Sequence, residues 1–228
     1  MKPRRSGRPS RIPPPLPFQT PGEEIANSVL HGLGLLLTIA GLVLLVLRAR
    51  GALGGAGGGG RAVSSYCVFT VAMMCMFLAS TLYHAIQHEG VKRVFRILDH
   101  SAIYVLIAGT YTPFCLLGFR GLWGWALFGV EWALAAAGIV LYTVNYRPLK
   151  KAEIAIYLLM GWAVAAVFPL LIRALPPASL IFLGAGGLSY TLGTLWYRKA
   201  YRRWTHVTWH VFVLAGAVCH WWAIWFMS

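Results

Sequence analysis

The chain has 228 residues, 58% of them hydrophobic and only 11% charged, with a mean hydropathy of +0.66. A water-soluble domain of this length needs more polar surface, and a membrane β-barrel would show short alternating segments, which the sequence lacks. The net charge is +14, from 20 Lys and Arg against 6 Asp and Glu. The basic residues fall between apolar runs, so topology and anionic lipid headgroups account for them, and nucleic acid is not an expected partner.

Residues 1–22 are basic and rich in proline and read as a disordered cytoplasmic tail ahead of one membrane domain, 23–228. The charged start is not followed closely by the apolar core of a signal peptide. Seven apolar runs follow, at 24–47, 63–86, 98–118, 123–144, 153–173, 178–197 and 206–226. The expected fold class is therefore all-α, a bundle of seven transmembrane helices. The first connection contains GALGGAGGGG, with no Gly-Lys-Ser/Thr to make it a phosphate loop. Pro113 and Pro169 lie inside runs, where neighbouring helices can satisfy the carbonyls they release. Trp123, Trp125, Trp204 and Trp225 sit near run ends and suit an interfacial belt. Cys67, Cys75, Cys115 and Cys219 all lie within runs and read as packing residues, not as a disulfide or thiolate framework.

Loop charge sets the orientation. With the N-terminus in the cytoplasm, the inside segments carry fifteen Lys and Arg, among them Lys92, Arg93, Arg96, Lys150, Lys151 and Lys199. The outside segments carry five: Arg48, Arg50, Arg61, Arg120 and Arg173. The bias predicts a multi-pass protein of the cell inner membrane, N-terminus in and C-terminus out.

With that orientation, four spans bring polar residues to one depth, near the cytoplasmic face. Span 1 begins with Glu24, Asn27, Ser28 and His31 on one helical face. Span 2 ends with Ser80 and His84. Span 3 begins with Asp99, His100 and Ser101, and span 7 with His206 and His210. His206 and His210 are one turn apart, the spacing by which a helix offers two imidazoles to one metal ion. With His84 they would form a three-nitrogen zinc site whose fourth position is open to water. Asp99 is placed to orient that water or take its proton, and Ser80 to hydrogen-bond a ligand, an oxyanion or Asp99. Such a site beside acyl chains suits hydrolysis of a lipid amide or ester. The expected partners are membrane lipids and zinc, and no oligomeric state is implied.

Plainer readings apply to the same residues. Membrane histidines also serve as interhelical hydrogen-bonding groups, and a metal can simply tie three helices together. Asp99 would also serve as the N-terminal cap of span 3, and Glu23 and Glu24 as first-turn dipole partners of span 1. His88 reads as loop surface. His31 reads as either a packing residue or part of the site. His220, 14 residues beyond His206, reads as a polar packing residue, because no partner span offers the matching pair that two stacked haems require.

Taken together, these residues resemble the hemolysin III family, the bacterial branch of the progestin and adipoQ receptor family. The segments that carry the resemblance are Glu23-Glu24-Ile25-Ala26-Asn27-Ser28 with His31-Gly32-Leu33-Gly34; Ser80-Thr81-Leu82-Tyr83-His84; Asp99-His100-Ser101-Ala102-Ile103-Tyr104 with Ala108-Gly109-Thr110-Tyr111-Thr112-Pro113; Met160-Gly161-Trp162; and His206-x-x-x-His210 with Phe212-Val213-Leu214-Ala215-Gly216. The resemblance implies seven helices with a cytoplasmic N-terminus, and zinc on His84, His206 and His210 with Asp99 nearby. The wider superfamily includes alkaline ceramidases, which implies lipid amide hydrolysis. The family's name implies a haemolytic, pore-forming activity, and other members are regarded as regulators of membrane lipid composition. A receptor or sensor with structural zinc is a further alternative.

Overall fold

The computed structural model describes residues 19–53, 58–119, 121–145, 150–199 and 202–227. Most of the expected tail and part of the glycine-rich connection lie outside these residues.

Among the described residues eight α-helices form: α1 (Pro21–Ala49), α2 (Gly59–Ala85), α3 (Glu89–Pro113), α4 (Leu122–Asn145), α5 (Lys150–Trp162), α6 (Phe168–Ala174), α7 (Pro177–Tyr197) and α8 (Thr205–Met227). A π turn, Phe114–Gly118, extends α3, and a 3-10 turn, Ala163–Val167, joins α5 to α6. They make seven stretches long and apolar enough to cross a membrane, and no strand occurs among the described residues. Large apolar side chains point outward along the whole bundle; Leu36 is 63% exposed, Ile181 68% and Leu122 80%. In water such a surface would drive aggregation, whereas in lipid it is the expected face.

Two elements differ from the sequence reading for local reasons. The third helix starts nine residues earlier than its apolar run. His88 caps it, its side chain accepting from the Val91 N–H at 3.4 Å, and a Glu89–Arg93 pair at 2.5 Å supports the first turns. The basic stretch at 92–96 is thus helix rather than loop, and His88 is a capping residue. The fifth span is broken. Tyr111 Oη, from α3, accepts from the Val164 N–H at 2.9 Å and lies 2.9 and 3.0 Å from the carbonyl oxygens of Met160 and Gly161. It satisfies the backbone that the break releases, as buried irregular backbone requires.

Packing places α1 between α2 and α8, with α3 behind α2, α4 against α3, and α7 against α8. The buried stripe of α1 runs Glu24, Asn27, His31, Gly34, Thr38, Gly41, Leu45 and Ala49, at spacings of three and four. The α2–α3 contact is close: a Cβ built on Gly109 would stand 2.5 Å from the Ala72 Cβ. Small residues allow such approach where lipid supplies no hydrophobic drive between helices. The starts of α1, α3, α5 and α8 and the ends of α2, α4 and α7 share one end of the bundle, and the polar residues gather there.

Candidate metal centre

Two helices supply the three histidines of the centre. His84 lies in the last turn of α2, and His206 and His210 in the first two turns of α8. One ring nitrogen from each lies within 4.8 Å of the other two. The ring centroids are 5.2 Å apart for His84–His206, 4.9 Å for His84–His210 and 4.6 Å for His206–His210. His84 and His210 are fully buried, and His206 is partly so. Among the described residues this is the one group of three or more such donors. Three convergent imidazoles fit zinc by donor type and number, with one coordination position left over.

The residue that organises His84 is Glu24. Its Oε2 lies 2.7 Å from His84 Nδ1, and its Oε1 accepts from Lys92 Nζ at 2.7 Å. A carboxylate on Nδ1 fixes the tautomer that leaves Nε2 with a lone pair, the arrangement that supports metal-binding histidines. His84 Nε2 is buried with no hydrogen-bond partner among the described residues. Lys92 is itself 6% exposed and stands 5.0 Å above the Tyr83 ring. Glu24 therefore joins α1, α2 and α3 at the candidate centre, and the dipole-partner reading does not describe it.

Glu23, the neighbouring carboxylate, holds the other half. It forms a capping box with Thr20, taking the Thr20 hydroxyl at 2.7 Å and its N–H at 2.9 Å. Its second oxygen accepts the N–H of Trp204 at 2.5 Å. Trp204 precedes α8 and has φ of 63°, a left-handed conformation that costs a non-glycine residue roughly 1–2 kcal/mol. Glu23 thus secures the strained turn that launches His206 and His210.

Asp99 lies ten residues inside α3, so it does not cap that helix. It is 8% exposed and sits beside Ser80 and His84. It is not one of the three mutually close donors, so it lies beside that group rather than within it. Ser80 is fully buried one turn before His84, next to Asp99 but without a closed hydrogen bond to it. His31, 2% exposed, stacks on His210 with centroids 3.8 Å apart and meets the Phe77 ring edge-on. Neither of its ring nitrogens, nor Asn27 Oδ1 or Ser101 Oγ, has a hydrogen-bond partner among the described residues. Leaving such groups buried without partners costs about 1–3 kcal/mol each, which marks this region as the polar interior of the bundle.

His100 and His220 stand apart from the centre. His100 Nδ1 is 2.9 Å from Glu153 Oε1, and its ring stacks on Tyr142 at 5.0 Å. Tyr157 Oη donates to the His100 carbonyl at 3.0 Å, so this cluster joins α3, α4 and α5. His220 is buried beside Tyr190, ring centroids 5.3 Å apart, as a packing residue of α7 and α8. The cysteines carry no disulfide.

Comparison with known proteins gives consistent matches. Residues 19–221 match the family model described as Haemolysin-III related. The chain is 40% identical over 195 residues to Hemolysin-3 of Bacillus cereus, covering 86% of this chain and 87% of that one. It is 40% identical to the Hemolysin-3 homolog of Bacillus subtilis (strain 168) over 86% of this chain and 89% of that one. It is also 27% identical over 164 residues to the human Monocyte to macrophage differentiation factor, over 69% and 68% of the two chains.

Proposed function

Because this chain belongs to the Haemolysin-III-related family, we propose that it is a zinc-dependent membrane hydrolase of lipid amides or esters, acting in membrane lipid homeostasis. The observation that carries the proposal is the group of three histidine nitrogens within 4.8 Å, with Glu24 on the rear nitrogen of one of them. A purely structural zinc usually has four protein ligands, whereas three with one open position is the catalytic pattern.

His84, His206 and His210 would hold the zinc, which when bound supplies Lewis-acid activation of water and of a substrate carbonyl. Glu24 keeps His84 in the metal-binding tautomer. The Asp99 carboxylate accepts a proton from the attacking water and returns it to the leaving amine or alcohol, so one group serves as base and then acid. The Ser80 hydroxyl donates to the developing oxyanion or steadies Asp99. His31 and Asn27 line the same region and offer polar contacts to a lipid headgroup. This reading keeps the orientation given by loop charge: inner membrane, N-terminus in the cytoplasm, with the centre at the cytoplasmic end.

The name carried by the Bacillus cereus relative favours a second reading, a pore-forming cytolysin. A third is a non-enzymatic receptor or sensor with structural zinc. One experiment separates them. Purified, zinc-loaded protein is reconstituted in liposomes containing ceramide-like and phospholipid substrates, and released fatty acid and trapped dye are both followed. The proposal expects fatty-acid release that is lost in Asp99→Asn and His84→Ala, without dye leakage. Leakage that survives loss of the histidines, with no fatty acid released, would establish the cytolysin instead. Neither release nor leakage would leave the sensor.

A further inference from the structure

The end of the bundle opposite the histidines has a distinct composition. The connections there carry Arg48, Arg50, Arg61, Arg120 and Arg173, with no lysine, aspartate or glutamate side chain. All five lysines belong to the tail or to the histidine end, as do five of the six acidic residues; the sixth, Glu131, lies within α4. The far end is thus uniformly cationic, and its cations are all guanidinium groups. Guanidinium matches phosphate oxygens bidentately, which ammonium does not.

A cavity of about 710 Å3 opens among these segments, between the end of α1, the start of α2, the π turn after α3, the start of α4 and the ends of α6 and α8. Among the described residues, Arg48 and Arg61 are the charged ones that line it. The Arg48 guanidinium is held 4.4 Å over the Trp225 ring, so its position is set in advance. The wall behind them is apolar and aromatic, with Tyr66, Cys115, Phe119 and Met227. Trp125, which also lines the cavity, is 60% exposed. The volume lies within the range of roughly 300–1,000 Å3 typical of organic-ligand sites and is far more than a free phosphate needs.

We propose that this cavity is a binding site for an anionic phospholipid, its phosphate taken by Arg48 and Arg61 and its first acyl segment by the apolar wall. The site is independent of the histidine centre and of any hydrolysis there. It takes its lipid from the leaflet at the arginine end, the outer one under the orientation given by loop charge.

The test uses the full chain in a neutral detergent and reads the thermal unfolding midpoint during titration with dihexanoyl-phosphatidylglycerol, dihexanoyl-phosphatidylcholine or inorganic phosphate. The expected result is a saturable rise with phosphatidylglycerol, a much weaker one with phosphatidylcholine and none with inorganic phosphate. Arg48→Gln/Arg61→Gln should need at least about tenfold more phosphatidylglycerol, as loss of charge-assisted hydrogen bonds implies. Arg173→Gln removes a charge at the same end without lining the cavity and should respond as the wild type does. Where the double variant does not fold, Arg61→Gln alone, exposed on the rim, is compared with Arg173→Gln. Equal responses in the lining and control variants would overturn the proposal in favour of diffuse electrostatics. A full shift with inorganic phosphate would make it a free-anion site, and equal shifts with both lipids an acyl-chain site; either result overturns it.

Discussion

Glu24 and His84 are 60 residues apart in sequence, and their side chains meet at 2.7 Å, Oε2 to Nδ1. The same carboxylate takes Lys92 at 2.7 Å, so one acidic residue aligns a histidine of the candidate metal centre and neutralises a buried lysine. Under the proposed function, metal affinity and fold stability both pass through Glu24, and they are separable. Glu24→Gln can accept from only one of the two donors. It should weaken zinc binding by about 10–100-fold, the usual effect of losing a partner behind a metal-binding histidine. It should also destabilise the fold by up to about 3–5 kcal/mol, because Lys92 is left buried without its counter-charge. Adding Lys92→Met should restore much of the stability and none of the affinity. Competition with a zinc chelator and thermal unfolding, run on both variants, check the two effects.

Asp99 adjoins His84 and Ser80 but does not belong to the group of three mutually close nitrogens. Asp99→Asn keeps the shape and removes the base. It should retain zinc at wild-type stoichiometry and lower lipid hydrolysis by about 10²–10⁴-fold. Metal analysis and product release on the same preparation check this. Loss of zinc would instead make Asp99 a ligand.

The seven spans were legible because each is an apolar run of membrane length, and the three histidines because their depths agreed once loop charge had set the orientation. The early start of α3 was hidden, since Glu89-Gly90-Val91-Lys92-Arg93 reads as loop by polarity; its helical form depends on the His88 cap and the Glu89–Arg93 pair. The role of Glu24 was hidden for a different reason. Its partners come from two other helices, and no local pattern reveals them. Its position one buried face from His31, at i and i+7, was the available signal. The Glu23–Trp204 contact spans 181 residues and had no signal beyond the acidic first turn of α1.

Gly109 sets the approach of α3 to α2, which carries Asp99 to His84. A methyl group at this position would stand 2.5 Å from the Ala72 Cβ and 3.5 Å from the Val68 carbonyl oxygen, and the backbone must shift to admit it. Gly109→Ala should cost about 1–3 kcal/mol and loosen zinc binding with it. Gly109→Ala/Ala72→Gly should recover most of both. Unfolding midpoints and zinc retention of the single and double variants check the coupling.

Glu131 is fully buried within α4, and neither carboxyl oxygen has a hydrogen-bond partner among the described residues. Burying such a group without a partner costs about 1–3 kcal/mol or more. Glu131→Leu should therefore raise thermal stability and leave zinc content unchanged, as read by unfolding in detergent beside metal analysis. A fall in stability would mean that the carboxyl has a partner in the membrane.

In the proposed function His84, His206 and His210 hold one zinc ion. Metal content of detergent-purified protein by inorganic mass spectrometry tests it most directly, beside His84→Ala and His206→Ala/His210→Ala. About one zinc per chain is expected in the wild type, lost from both variants. Folded wild-type protein that takes up no zinc when it is supplied, or variants that retain it in full, would rule out this metal site and leave the three histidines as helix-packing groups.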